Sequence, residues 1–327
     1  MTAAQAAKWT AVAAGTAVVI ALPFLVSQFR AVQLATVAVY FIAIVGLDVL
    51  TGYSGQISLG HGALMAVGGY TTGILMAHHG WRDLATIPLA ALVGGAVGVL
   101  VGIPALRLRG LYLALATFGA AVALPTILKK FDHFTGGSTG LSLFSQLTGH
   151  GAGVTVLGHP LTNNDWLYAL TWSIAIPLFL LAWWLVSSKF GRSIRAVRDS
   201  EIAAAASGVS RATYNVAAFG VAAAYAGVAG ALYAVVSTFV NPDTFPITLS
   251  LYLLVGAVVG GYGSIWGAVF GALLIQFLPD LVDLVPRIDP KQSGPRTFFF
   301  GAILVAVMIV LPLLTRLTNR VYPRAPS

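Results

Sequence analysis

The chain has 327 residues, of which 58% are hydrophobic and only 9% charged, with a mean hydropathy of +0.88. So few charges cannot cover a soluble globule, whose charged fraction is typically about 25%, and so apolar a chain is not disordered. The 36 glycines follow no G-X-Y period, which excludes collagen, and the net charge of +8 is split into short clusters between apolar runs. That scatter excludes a nucleic-acid surface and fits the loops of an integral membrane protein in contact with lipid. Without cysteine, disulfide and thiolate chemistry are absent.

A bilayer core of about 30 Å takes about 20 apolar residues per helix. On that measure, spans are predicted near residues 10–29, 31–50, 57–77, 84–105, 111–128, 166–187, 215–236, 247–262, 265–285 and 298–315. The first run follows Lys8 but is too long for a signal-peptide core, so it reads as a retained anchor. The third span, and the eighth with the ninth, are interrupted by glycine and read as broken or re-entrant. The expectation is an all-α, polytopic membrane protein with eight to ten transmembrane helices, ten preferred, forming one transmembrane domain over 1–327. The basic residues divide eleven to seven between the two faces, and the densest group, within 189–211, sets the orientation. Both termini are therefore expected to be cytosolic, with 129–165 an extracytoplasmic loop and 188–214 a cytosolic one.

Residues 52–62 place four glycines, two serines, a glutamine and a histidine between apolar spans. Glycine permits close backbone approach or positive φ, and Gln56, Ser58 and His61 can satisfy backbone groups freed from a helix. Two readings stand: a broken segment lining a translocation path (Gly52, Tyr53, Gly55, Gln56, Ser58, Gly60 and His61), or a tight turn with a helix-packing histidine. No second ligand lies at helical spacing from His61, so no metal site is expected there. His78 and His79 beside Trp81 read as an aqueous loop with an interfacial tryptophan. Asp48 lies near the inner end of the second span, where it is expected to be hydrated or bonded to nearby backbone; a proton relay is the alternative.

Lys189, Arg192, Arg195 and Arg198 recur every three residues, along one side of a helix. Asp199, Ser200 and Glu201 then form an N-cap and acidic first turn, Ile202 and the alanines Ala203 and Ala204 begin a short helix, and Gly208 is a C-terminal stop. A short, capped, non-spanning helix suits insertion into a partner's groove, with binding to anionic lipid as the plainer use of its charge. Gly263, Gly267 and Gly271, four apart, predict close helix packing on one face. Gly52-Tyr53-Ser54-Gly55-Gln56-Ile57 faintly echoes Gly261-Tyr262-Gly263-Ser264-Ile265, a hint of paired broken segments at one depth. No phosphate loop or other nucleotide site is present, so the chain is not its own ATPase, and no catalytic constellation appears.

With these segments in hand, the chain resembles the permease subunits of ABC importers for branched-chain amino acids, most closely the LivM type. The resemblance is carried by 52–70 (GYSGQISLGHGALMAVGGY), by 107–117 (RLRGLYLALAT) with 134–141 (FTGGSTGL), by 191–233 (GRSIRAVRDSEIAAAASGVS through AGVAGALY) and by 260–274 (GGYGSIWGAVFGALL). Together these cover residues 45 to 285. The resemblance implies a half-channel in a prokaryotic inner membrane that pairs with a LivH-like second permease. Two cytosolic ABC ATPases, which bind the ATP and Mg, power it, and an extracytoplasmic binding protein delivers substrate. It further implies that 201–208 is the coupling helix, with Arg192, Arg195 and Arg198 as flanking contacts to the ATPase or lipid. Asp48 departs from the neutral amide expected at its position, the segment just after Phe118 lacks the acidic residue expected there, and 311–327 lacks a Pro-Arg-Gly ending. A urea or short-amide importer permease is the nearest alternative, and an ion-coupled stand-alone carrier using Asp48 and His61 is the alternative of another class.

Overall fold

A computed structural model describes residues 10, 12, 14–19, 21–22, 26–108, 110–147, 155–156, 159–160, 162–283 and 301. Ten helices are used here: α1 (Gln28–Leu47), α2 (His61–His79), α3 (Asp83–Ala105), α4 (Leu111–Lys130), α5 (Asn163–Ser187), α6 (Lys189–Asp199), α7 (Glu201–Ala206), α8 (Arg211–Ser237), α9 (Ile247–Gly260) and α10 (Ala268–Asp283). Among the described residues, six segments are long and apolar enough to cross a membrane: 28–53, 83–105, 111–130, 163–187, 211–237 and 242–260. The expected eight to ten spans are thus represented by six. The spans placed near 10–29 and 298–315, and the termini, lie largely outside the described residues.

Helix α2 has the length to span, with 19 residues, yet is not among the six. Gly62, Gly68, Gly69, Gly73, Thr71, Thr72 and its terminal histidines lower its hydropathy, and most of it is buried by protein, so lipid does not dictate its composition. The ninth expected span shortens to the 16 residues of α10. The chain passes back and forth, and α6 with α7 forms a loop at one end of the bundle. We call that end the loop face and the other the far face.

Helix α8 is the centre. Its sequence is dominated by alanine and glycine, and it packs against α3, α2 and α1. With no hydrophobic drive between helices in lipid, close backbone approach is what holds such helices together. Gly68 of α2 and Gly94 of α3 both meet Gly227 of α8; a Cβ on Gly94 would stand 2.8 Å from the Ala223 carbonyl, and one on Gly68 would overlap the Gly227 carbonyl. On the other side of α1, a ladder of rings packs α5 against it: Phe41–Phe179 at 5.6 Å, Phe179–Trp266 at 5.0 Å and Trp183–Trp266 at 5.7 Å. The Trp172 Nε1–H donates to the Leu34 carbonyl, so the ring's polar edge is satisfied within the membrane. By contrast α4 buries little, leaving Leu111, Tyr112, Leu115 and Val122 exposed. At the far face, Leu141–Ser142 pairs antiparallel with Phe239–Val240.

Candidate functional site

Helix α1 does not end cleanly. Its last turn widens into a π-helix, Asp48–Tyr53, and the chain is then non-helical until His61. The backbone groups released by this break are met from other helices. The Leu59 N–H donates to Thr117 Oγ1 of α4 at 3.0 Å, and the Gly62 N–H to Ser250 Oγ of α9 at 2.9 Å. Gln56 Nε2 donates to Ser54 Oγ and to the Asn215 carbonyl of α8, and the Gly60 N–H to Ser58 Oγ. Non-helical backbone within a membrane survives only when satisfied in this way. Thr117 lies about 9 Å into α4, so α2 begins inside the membrane. The segment is a break between two helices, and the buried His61 packs into the bundle at its end.

The structure divides the residues expected to line a path. Ser58 and Gly60 open onto an apolar cavity of about 500 Å³ between α2, α3 and α4, whose walls include Val97, Leu124 and Phe219. Tyr53 instead lines a 240 Å³ pocket at the loop face with Arg195, Trp183 and Ser264. Gly52 meets the second break, 261–267: a Cβ on Gly52 would sit 2.8 Å from Gly263 Cα. The two echoing glycine segments therefore touch at one depth. His61 is fully buried, with its ring beside the Ala43 backbone of α1.

Two expectations need correction. Asp48 is not bonded to nearby backbone: it is fully buried, and among the described residues neither carboxylate oxygen has a hydrogen-bond partner. Gly263, Gly267 and Gly271 do not share one helix face, because α10 starts only at Ala268. Gly263 sits in the tight turn at φ +74°, while Gly267 and Gly271 receive Gly260 and Gly256 across the α9–α10 hairpin. Close packing holds, but between two helices joined by a turn.

The loop forms as its sequence dictates. Ser188 Oγ caps α6 by accepting from the Phe190 N–H, and Ser200 Oγ caps α7 by accepting from the Ala203 N–H. Gly208, at φ +76°, ends it. A 3.1 Å ion pair between Glu201 and Arg211 ties α7 to the start of α8. Ile202 is 85% exposed beside exposed Ala203, while Ala204 is buried. The arginines are not equivalent. Arg192 stays at the surface, whereas Arg195 donates to the Gly191 and Val186 carbonyls and lies over the Tyr53 ring at 5.8 Å.

Arg198 makes the longest reach: its Nη1 donates to the Gly52 carbonyl at 2.7 Å, while Nε bonds Asp199. Its aliphatic stem fills the space beside Gly55, which has no Cβ and stands at φ +72°. The loop helix and the break in α1 are thus one connected unit. Periodicity marked Arg198 only as one of a row. Thr117, Ser250 and Asn215 were missed, although lone polar residues in apolar spans were the available signal. Among the described residues, no group of three or more His, Asp or Glu side chains is placed to hold a metal.

Comparison with known proteins places this geometry in context. Residues 31–311 match the family described as "Branched-chain amino acid transport system / permease component". The permease LivM of a high-affinity branched-chain amino acid transport system in Salmonella typhimurium is 34% identical over 90% of this chain and 72% of its own length. Its Escherichia coli K12 counterpart is 32% identical over 90% and 71%. The LivH permease of Escherichia coli K12 is 24% identical over 89% of this chain and 94% of its own. No solved structure matches the chain. The chain belongs to the branched-chain amino acid transport permease family.

Proposed function

We propose that this family member is one permease half of an ATP-driven importer for branched-chain amino acids, seated in a prokaryotic inner membrane with the loop face cytosolic. A second, LivH-like permease completes the path, two cytosolic ATPases supply the work, and an extracytoplasmic binding protein delivers substrate. ATP and Mg bind the ATPases and not this chain. Support for the coupling role rests on one observation: α7 presents a large apolar side chain, Ile202, at the surface, and its neighbour α6 grips the broken segment through Arg198. A partner that takes up α7 and moves it moves Gly52 as well. ATP binding shifts the permease between two states only if the docking contacts differ between them, and a hinge at the break gives them something to differ by.

The ion-coupled carrier would need Asp48 and His61 to exchange protons with water, yet both are fully buried. Reconstitution decides between the substrate readings. Complete transporter in vesicles should hydrolyse ATP faster with leucine than with urea, and this chain alone should not accumulate leucine on a proton gradient. Urea-selective stimulation overturns the amino-acid assignment.

The link itself has its own test. Arg198→Ala removes a hydrogen bond to a charged donor, a contact of about 1.5–3 kcal/mol. Leucine uptake should fall about tenfold or more while the ATPases still co-purify, since α7 is untouched. Arg198→Lys, which keeps the charge but not the fork that holds Gly52 and Asp199 together, should fall between. Unchanged uptake in Arg198→Ala removes the link from the mechanism.

A further inference from the structure

At the far face, some 40 Å of α8 away from the loop, a second pocket of about 450 Å³ opens between α1, α8 and α9. That volume is in the usual range for a small-molecule site. Its walls are Tyr40, Tyr233, Leu249 and Tyr252, with the Tyr40 and Tyr233 rings 6.2 Å apart, and Thr248 stands at its edge. One lining residue is charged. Asp243, in the turn after α8, forms a 3.1 Å ion pair with Lys129 at the end of α4, and both side chains face solvent, 71% and 41% exposed. Tyr70 of α2 lies within electrostatic reach of Asp243, and among the described residues its buried hydroxyl has no hydrogen-bond partner.

We propose that this pocket is an entry site for a zwitterionic amino acid with an apolar side chain. Asp243 takes the α-ammonium, Lys129 the α-carboxylate, and the tyrosines and Leu249 receive the side chain. The argument is one of complementarity. An exposed ion pair contributes at most about 1 kcal/mol, so opening it costs little, and a zwitterion returns an opposite charge to each partner. A neutral amide such as urea offers neither charge, and an amine or carboxylate alone satisfies only one. Placement also fits. Leu249 lines the pocket while the next residue, Ser250, holds Gly62 at the end of the break, so α9 has the pocket on one side and the broken segment on the other. The proposal rests on the amino-acid importer reading and adds the groups that would read the substrate.

The cysteine-free chain makes the test direct. In the complete permease–ATPase complex in nanodiscs, without nucleotide, Thr248→Cys is the single permease thiol on this chain and is labelled with a hydrophilic maleimide. Leucine should slow labelling saturably, about tenfold at about ten times its half-protecting concentration. Isoamylamine, 4-methylpentanoate and urea at the same concentrations should not. Asp243→Asn and Lys129→Gln, each labelling at the parent rate without ligand, should cancel the protection by leucine. The proposal is overturned if leucine leaves labelling unchanged, if the singly charged analogues protect equally, or if protection survives in both variants. Leucine-stimulated ATP hydrolysis without protection removes the pocket and leaves the importer reading standing; loss of both removes that reading too.

Discussion

Ile202→Asp should abolish uptake and strip the ATPases from the purified complex, while the permease still inserts and folds. The side chain is 85% exposed on a one-and-a-half-turn helix, so it supports nothing within this chain. An apolar anchor buried at the centre of an interface typically contributes 2 kcal/mol or more, and a carboxylate left buried in its place adds a desolvation cost of similar size. Together these weaken docking by roughly a thousandfold or more, on the order of 4 kcal/mol. Co-purification through a tag on this chain reads the loss, and gel filtration confirms the fold. An Ile202→Asp protein that retains its ATPases and its uptake would show that α7 is not the docking element. Deleting 203–206 should give the same result by removing the helix itself.

Gly68→Val is expected to be the most damaging single change in the membrane part. Its Cβ would fall on the Gly227 carbonyl, a backbone atom with no rotamer into which to retreat. Helices α2 and α8 would have to separate by an ångström or more, and α3, which meets α8 at the same glycine through Gly94, would lose its seat. Overpacking a close-fitted core typically costs about 1–3 kcal/mol, and displaced backbone costs more. The expected result is a protein recovered in poor yield, aggregated in detergent, with a lowered melting temperature by dye-free thermal scanning. A substitution of the same size at Gly119, which has open space around it, should leave both measures unchanged. Equal behaviour of the two variants would mean that close packing at Gly227 does not hold the bundle.

How much of this was legible in the sequence depends on the range of the interaction. Local signals were read well. The Ser200 cap, the stop at Gly208 and the breaks at 52–62 and 261–267 follow from residue types acting on their own backbone. The long-range partners were not legible. Nothing in periodicity says that Thr117 faces Leu59, or that one of four regularly spaced basic residues crosses to Gly52 while another stays at the surface. Asp48 was misread for the same reason, since its environment is set by the π-turn and by helices distant in sequence. Gly263, Gly267 and Gly271 fit a packing motif whose spacing presupposes a continuous helix, and the turn before Ala268 breaks that premise. The hydropathy of α2 misleads in the opposite direction: a helix sheathed by its own protein needs no greasy exterior.

The interior start of α2 has a consequence for how firmly this permease is held together near the loop face. Between the π-turn and His61 the chain is a single non-helical segment, residues 55–60, at most about 20 Å long. That segment is pinned by Leu59 on Thr117, by Gln56 on Asn215 and by the aliphatic stem of Arg198 against Gly55. The two net hydrogen bonds amount to on the order of 2 kcal/mol, far less than unpacking a transmembrane helix. A segment held that lightly yields to a modest pull on one end, and Arg198 of α6 is bonded to Gly52 just before that end.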